Sequence, residues 1–169
     1  MPIAETSRLF ISKITLKDSK FLLELVNTPH WLKYIGDRQI KTVNDAKTYL
    51  QNVTLKSYTD FGFGFYKLQI KDTNKTIGIC GLVKRKQLDD VEIGFALLPE
   101  YESKGFGFEA SLAILDLAKE KFLLKKITAI TLPTNKSSIK LLEKLGLSFE
   151  KTINPFDDGE ELLLFAKTL

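Results

Sequence analysis

The sequence predicts a single α/β domain built on a mixed β-sheet with helices on both faces. The length of 169 residues and the hydrophobic content of 44% are typical of one globular domain with its own core. Residues 61–98 show three strand patterns joined by short polar turns, which indicates an antiparallel meander. A strand–helix–strand pattern follows in residues 91–132, and a crossover of this kind joins parallel strands. A sheet that combines both arrangements is mixed and carries helices on its faces.

The first third of the chain predicts one strand and two helices, with a short apolar segment between the helices. Apolar and polar residues alternate in the strand, and a threonine that can cap the first turn precedes each helix. These predictions cover residues 8–14 for the strand, 15–26 and 42–53 for the helices, and 31–35 for the apolar segment.

The meander is predicted to consist of strands Phe61–Ile70, Thr76–Val83 and Val91–Leu98. The segments between them, Lys71–Lys75 and Lys84–Asp90, are polar or charged, as turns between paired strands usually are. Consecutive strands joined in this way pair as antiparallel neighbours.

The second half of the chain predicts two helices and three strands. Phe108–Phe122 has an apolar stripe at helical spacing, and Asn135–Leu145 is a helix closed by the C-cap glycine Gly146. The predicted strands are residues 126–132, 147–153 and 161–167. We expect the last of these, which is rich in leucine, to lie at the edge of the sheet. There it either pairs across a homodimer or is covered within a monomer.

Composition argues against several classes of protein. The net charge is +4, from 25 Lys and Arg against 21 Asp and Glu. We interpret the lysines as a solvated surface, although they can also attract a polyanionic ligand or ribosomal RNA. No aromatic residues alternate with them, so a direct nucleic-acid site is not expected. No apolar run approaches the roughly 20 residues of a membrane span, and no signal peptide is recognisable. A single Cys and a single His argue against disulfides and a zinc site, so we expect a cytoplasmic protein without a metal.

A glycine-containing loop separates the third meander strand from the helix that follows it. Gly105 and Gly107 lie directly before this helix, with Lys104 beside them. A helix N-terminus presents free backbone N–H groups and the positive end of a dipole, which favours a phosphate group. We therefore predict a phosphate-binding loop, with a plain turn as the alternative. The same Gly-Phe-Gly-Phe sequence at 62–65 lies within a predicted strand and is interpreted as a bulge or a close backbone approach.

The loop also satisfies the dinucleotide-binding pattern Gly-x-Gly-x-x-Ala at residues 105–110. That pattern requires a strand that runs almost directly into the first glycine, whereas six residues separate Leu98 from Gly105 here. Too little chain follows to build a second mononucleotide-binding half. A nicotinamide-dependent oxidoreductase is therefore the less favoured interpretation.

Two segments of the chain resemble the acetyl-CoA-binding segments of the GNAT N-acetyltransferase superfamily. The first is Val91–Ala110, and the second is Asn135–Gly146, which follows the pattern Asn-x-x-Ser-x-x-x-x-Glu-Lys-x-Gly. Glu5–Leu9 resembles the opening of the subgroup that acetylates the alanine or serine N-termini of ribosomal proteins. The resemblance spans essentially the whole chain and implies one N-acetyltransferase domain over residues 1–169. It also implies a six- or seven-stranded mixed sheet that is splayed into a V, with acetyl-CoA in the opening.

The resemblance also implies which residues hold acetyl-CoA. The pyrophosphate would bind backbone N–H groups of the glycine loop, the pantetheine arm would pair with the preceding strand, and Asn135 would contribute from the second segment. The loop residues are Ser103, Lys104, Gly105, Phe106, Gly107 and Phe108, and the strand residues are Phe95, Ala96 and Leu97. This chain departs from the superfamily at Glu102, where Gln or Arg is frequent, and at Leu142, where Tyr often serves as the acid.

Glu92 and Ser138 are the candidate catalytic residues. An amine must lose a proton before it attacks a thioester, and Glu92 can accept that proton directly or through a water. Apolar flanking residues predict a desolvated carboxylate; the alternative is an outward residue paired with a lysine. The resemblance to the ribosomal-protein subgroup implies that Ser138 takes the place of the missing Tyr as proton donor to the CoA thiolate; the alternative is that its hydroxyl bonds its own backbone. Asn135 is also a suitable N-cap, and Cys80 is interpreted as a buried apolar residue rather than an acyl carrier.

The predicted function is acetyl transfer from acetyl-CoA to a primary amine in a ternary complex. The acceptor is a protein N-terminal α-amine, which includes the N-terminus of a ribosomal protein, or a small amine. The alternative is a non-catalytic acetyl-CoA sensor or ribosome-docking module on the same fold. We expect acceptor specificity to lie in segment 31–40 and in the loops after Val83 and Ile153. Candidate pocket residues are Trp31, Tyr34, His30, Phe61, Phe63 and Arg85.

Overall fold

The computed structural model describes residues 1–169 and contains one mixed sheet of eight strands. The strands are β1 (Ala4–Glu5), β2 (Leu9–Lys13), β3 (Phe65–Ile70), β4 (Thr76–Val83), β5 (Glu92–Leu97), β6 (Lys126–Thr131), β7 (Ser148–Ile153) and β8 (Leu162–Thr168). The helices are α1 (Ser19–Leu25), α2 (Pro29–Tyr34), α3 (Val43–Tyr49), α4 (Lys56–Phe61), α5 (Phe106–Glu120) and α6 (Lys136–Lys144). A π-helical turn, Leu50–Leu55, joins α3 to α4.

The strand order is β1-β2-β3-β4-β5-β6-β8-β7. Every neighbouring pair is antiparallel except β5 and β6, which are parallel and connected through α5. The predicted mixed α/β architecture is therefore confirmed. The sheet has more strands than the resemblance implies, because β1 is only two residues long and shows no alternation in the sequence.

The sheet opens between β5 and β6. These strands share a single partner pair, Glu92 with Thr128, whereas β4 and β5 stay paired from Val83–Glu92 to Gly78–Leu97. Beyond Glu92 the two strands separate, and the facing edges of both remain without a neighbouring strand. The result is a V-shaped opening in the middle of the sheet, with Glu92 at its closed end.

Two hydrophobic clusters cover opposite faces of the sheet. The larger contains 20 buried residues and is built around α5 and α6, and the smaller contains 10 and involves α1, α2 and α3. Neighbouring residues Ile79 and Cys80 of β4 belong to different clusters, as the alternation of side chains along a strand requires. Helices on both faces are thus confirmed. None of the helices combines the length and the apolar character that a membrane crossing needs.

Several predicted elements begin at different residues in the structure; α5, for example, begins at Phe106 instead of Phe108, so Gly107 lies in its first turn. The strand predicted from Phe61 begins at Phe65, because α4 extends through Phe61 and ends at Gly62, whose φ of 80° forms a left-handed cap. The first Gly-Phe-Gly-Phe sequence therefore links a helix to a strand instead of lying inside a strand. The apolar segment at 31–35 belongs to α2, which begins at Pro29.

The prediction that the leucine-rich last strand lies at the sheet edge is wrong. β8 pairs with both β6 and β7 and is therefore an interior strand. Its leucines serve this position, since Leu162 and Leu164 are buried. The edge is formed by β7, in which all residues except Ile153 are exposed.

Candidate active site

A cleft of about 630 Å³ occupies the V-shaped opening. One end is formed by the loop between β5 and α5 together with the first turns of α6, and the other by residues from α2, the segment after it and α3. Ten of the twelve predicted site residues line the cleft: Glu92, Phe95, Ala96, Leu97, Ser103, Gly105, Gly107, Phe108, Asn135 and Ser138. Lys104 and Phe106 do not line it.

The glycine loop presents a row of free donors. The backbone N–H groups from Ser103 to Phe108 donate to no acceptor within the protein. The next N–H group along the chain, that of Glu109, donates the first hydrogen bond of the helix, to the Gly105 carbonyl. Gly105 is the N-cap of α5 with φ of 84°, a left-handed conformation that glycine adopts without a steric penalty. Unbonded N–H groups at the start of a helix of this length are suited to bind an anion such as a pyrophosphate.

A network of polar contacts on the side of the loop away from the cleft fixes its conformation. The Glu109 carboxylate accepts hydrogen bonds from the Thr6 and Ser7 hydroxyls and from Arg8, whose Nε lies 2.7 Å from Oε2. The Arg8 Nη1 atom donates to the Lys104 carbonyl at 3.0 Å, and the guanidinium lies 4.1 Å from the centre of the Phe106 ring. Lys104 and Phe106 therefore support the loop from behind instead of facing the cleft.

This network of polar contacts holds the Glu109 carboxylate in its charged form. Burial acts to raise its pKa, but the hydrogen bonds from Thr6 and Arg8 outweigh burial, and the pKa of Glu109 is lowered. An ionised Glu109 keeps Arg8 in place, and Arg8 in turn holds the Lys104 carbonyl through a hydrogen bond.

The open edge of β5 provides a second set of backbone groups. The Leu98 N–H donates to the Ile77 carbonyl of β4 at 2.8 Å. Because successive residues of a strand direct their amide groups to opposite edges, those of Phe95 and Leu97 face the V-shaped opening. An extended ligand with amide groups of its own can pair with this edge as a strand would.

Glu92 lies at the closed end of the cleft with only 6% of its surface exposed. Arg85 Nε donates to its Oε2 atom at 2.5 Å. Burial raises the pKa of Glu92, and the positive charges of Arg85 and Arg38 offset part of that increase. The predicted desolvation is confirmed, and the alternative of an outward residue paired with a lysine is wrong, since Glu92 is buried and its partner is an arginine.

Asn135 and Ser138 lie together at the start of α6. The Asn135 side chain accepts a hydrogen bond from the Ser138 N–H at 3.3 Å, so Asn135 is the N-cap and also lines the cleft. The Ser138 hydroxyl makes no hydrogen bond within the protein. The alternative that this hydroxyl bonds its own backbone is therefore wrong, and the group is available to a ligand.

Residues that depart from the superfamily pattern have other roles here. Leu142 is 1% exposed and packs in the larger cluster. Glu102 lines the cleft, and its Oε1 atom lies 2.8 Å from His30 Nδ1 of α2.

Cys80 is fully buried, and burial raises the pKa of its thiol to about 12, so the thiolate needed for acyl transfer is disfavoured.

The acceptor end of the cleft agrees only in part with the sequence prediction. His30, Trp31, Tyr34 and Arg85 line it as expected. Phe61 and Phe63 do not, because Phe61 is 47% exposed and Phe63 packs against Phe122 in the larger cluster. Polar and aromatic residues of the cleft that the sequence prediction did not name include Arg38, Tyr49, Phe65 and Lys144. Only Arg38 carried a signal, since it lies in the segment expected to determine specificity.

Comparisons with known proteins agree with this architecture. A family model described as the acetyltransferase (GNAT) domain matches residues 8–148. The uncharacterized N-acetyltransferase p20 of Bacillus licheniformis is 28% identical over 160 residues, which are 94% of this chain and 89% of that protein. The match to p20 thus extends over nearly the full length of both chains.

Solved structures with the same fold include two acetyltransferases. The acetyltransferase from Agrobacterium tumefaciens str. C58 has a TM-score of 0.83 at 22% identity, covering 99% of this chain and 94% of that chain. RimL, a ribosomal α-N-protein acetyltransferase in complex with coenzyme A, has a TM-score of 0.82 at 13% identity, covering 100% and 98%. At these identities the likeness shows the fold alone.

Proposed function

The chain belongs to the GNAT acetyltransferase family, and from that premise we propose that it transfers an acetyl group from acetyl-CoA directly to a primary amine in a ternary complex. The acceptor is a protein N-terminal α-amine or a small amine. The observation that supports this most strongly is a buried carboxylate, Glu92, at the closed end of a cleft whose far end presents the unbonded N–H groups of Ser103–Phe108.

Acetyl-CoA supplies an acetyl group activated as a thioester, and we propose that backbone groups hold it. The loop N–H groups from Ser103 to Phe108 bind the pyrophosphate, and the open edge of β5 at Phe95–Leu97 pairs with the pantetheine amides. Asn135 and Ser138 border the cleft from α6. Because these contacts use main-chain donors, the acid Glu102 in the loop does not prevent them.

Glu92 is the proposed base. An α-amine has a pKa near ~8 and a lysine amine near ~10.4, so either is mostly protonated at neutral pH. Glu92, with its raised pKa, takes the proton from the ammonium group directly or through a water. The amine nitrogen then bonds to the acetyl carbon as the carbon–sulfur bond breaks, and the Ser138 hydroxyl gives its proton to the departing thiolate. The proton that the nitrogen loses as the amide forms restores the Ser138 hydroxyl, and Glu92 releases its own proton to solvent.

The experiment that tests this proposal is the substitution Glu92→Gln. We expect kcat to fall by at least ~10²-fold, the lower range for loss of a general base, while the Kd for acetyl-CoA is unchanged. Glu120→Gln is the matched control, because it removes an exposed carboxylate at the end of α5. An unchanged rate in Glu92→Gln removes this residue from the mechanism.

Ser138→Ala tests the proposed acid. We expect kcat to fall roughly ten- to a hundredfold without a change in helix stability, because Asn135 caps the Ser138 backbone N–H and not its hydroxyl. The control is Ser137→Ala, which removes the neighbouring hydroxyl, located 3.4 Å from the Asn135 Oδ1 atom. Equal losses in both variants contradict a specific role for Ser138.

A further inference from the structure

The acceptor end of the cleft holds two guanidinium groups and one carboxylate, Glu92. Glu92 is already engaged by Arg85, and Glu102, which lines the cleft from the loop at the other end, lies against His30. Arg38 also lines the cleft, and its guanidinium takes part in no hydrogen bond or ion pair of the protein. Arg85 uses only its Nε atom for Glu92, so its two terminal nitrogens remain free donors.

The surroundings of Arg38 provide no acid that compensates it. The adjacent Asp37 accepts a hydrogen bond from the Gln39 N–H at 2.8 Å and pairs with Lys41 at 3.2 Å, and it does not line the cleft. On α2, Lys33 adds a further cation next to Tyr34. Two guanidinium groups therefore face this end of the cleft, together with one buried carboxylate.

Other side chains at the same end show what else a ligand meets there. Trp31, Tyr34, Tyr49 and Phe65 form largely aromatic walls. The Trp31 indole N–H is buried and has no acceptor within the protein. The site thus offers hydrogen-bond donors without partners inside walls that otherwise suit an apolar group.

We propose that the acceptor is a primary amine that carries a carboxylate close to the amine, and that Arg38 and Arg85 bind this carboxylate. The guanidinium group matches a carboxylate in planar, two-point geometry. Arg85 touches Glu92, so a carboxylate bound to Arg85 places an amine a few bonds away within reach of the base. A polyamine is disfavoured, because its second ammonium group meets two guanidinium groups.

This inference rests on the proposed acetyl transfer and names its substrate class. The carboxylate has two sources, a free amino acid or an acidic residue at the start of a peptide. The experiment compares L-phenylalanine with its amide, a peptide that begins Ala-Asp with one that begins Ala-Asn, and spermidine as a cationic amine. The readout is kcat/KM from the release of free CoA thiol, measured at a pH at which all the α-amines are neutral.

We expect at least one carboxylate member to exceed its neutral partner by about tenfold or more, since a hydrogen bond between charged groups is stronger than a neutral one. The pair that shows the preference identifies the source. Arg38→Gln is expected to reduce this ratio by about tenfold. Lys47→Gln, which removes an exposed cation of α3 outside the cleft, is expected to leave the ratio unchanged.

Two results overturn the inference alone: faster acetylation of the amides or of spermidine, or an unchanged ratio in Arg38→Gln. A protein that binds acetyl-CoA but acetylates no amine of any charge class overturns the proposed function and this inference with it. The two failures are therefore distinguishable.

Discussion

Glu92 is a buried carboxylate whose surroundings act on its pKa in opposite directions. Burial disfavours the charged form, and Arg85 at 2.5 Å favours it. Burial is the larger effect, so the folded protein favours the protonated over the charged form of Glu92 more strongly than the unfolded chain does. This residue therefore links the pH dependence of stability to the chemistry that we propose.

The stability of Glu92→Gln relative to wild type is expected to increase with pH. The folded pKa is raised above the unfolded value of about 4.5, so the stabilisation from this group is complete below that value and is lost as pH rises through the folded pKa. Glutamine resembles the protonated acid at every pH. The measurement is the unfolding temperature of both proteins at pH 5 and pH 8.

In this comparison the other titratable groups are the same in both proteins, and their effects largely cancel. A difference in unfolding temperature that is the same at both pH values contradicts a raised pKa. If the stability of Glu92→Gln relative to wild type instead decreases between pH 5 and pH 8, Arg85 outweighs burial in setting the pKa of Glu92.

Single residues of the site were predictable where local sequence determines them. The apolar neighbours of Glu92 predicted its burial, and the position of Asn135 before a helical pattern predicted its capping role. Arg85 was predicted to shape the acceptor pocket, but its pairing with Glu92 was not predictable, because only the tertiary fold brings the turn after β4 to Glu92. Tyr49 and Phe65 reach the cleft for the same reason, from elements distant in sequence.

At the scale of elements, the start of α5 depends on the left-handed conformation of Gly105. A Cβ atom at this position would lie 3.2 Å from the Arg8 Nη2 atom. Substitution therefore strains the backbone and also displaces the arginine that holds the Lys104 carbonyl.

Gly105→Ala is expected to lower the free energy of unfolding by roughly 1–2 kcal/mol and to weaken CoA binding by about tenfold. The control is Gly62→Ala, because Gly62 has φ of 80° and no heavy atom lies within 4 Å of the position that a Cβ atom would take there. This control introduces the same backbone strain far from the loop. Urea unfolding and a CoA titration separate the two effects. Equal CoA affinities in the two variants contradict a binding role for the loop geometry.

The prediction of elements succeeded where periodicity and capping residues agree. The stripe of α5 and the capping box of Thr42 and Asp45 both mark real helices. The prediction for residues 61–64 was wrong because alternating aromatic and glycine residues fit a strand as well as a helix end. In the structure α4 continues from the π-helical turn through Phe61 and ends at Gly62.

At the scale of the whole molecule, the sheet consists of two parts that meet at one partner pair. Backbone groups along the V-shaped opening have no partner in the protein, in contrast to the paired interior of the sheet. A ligand that occupies the opening replaces a missing strand, so its binding is expected to protect a specific set of amides.

Saturating CoA is expected to slow amide hydrogen exchange at Ser103–Phe108 and at Phe95 and Leu97. The expected reason is that these N–H groups gain acceptors on the ligand. The edge strand β7, Ser148–Ile153, is the internal control and is expected to exchange at the same rate with and without CoA. Protection confined to other regions contradicts the proposed cofactor site.

The architecture was predictable as a mixed sheet because a meander and a crossover unit leave few alternatives. The order of the last two strands was not, since a terminal hairpin can add to β6 through either of its strands. The leucine content of β8 fits an edge strand as well as an interior strand. Its interior position follows only from its pairing with β6 in the assembled sheet.

The Glu92–Thr128 pair acts as the vertex of the V, and a vertex is the point that moves least when the two arms change their angle. Strand pairing fixes the Glu92 backbone at this vertex, whereas the strand ends and loops farther along the opening have no partner strand across it. A change in the angle between the two arms would therefore alter the width at the far end of the opening more than the position of Glu92.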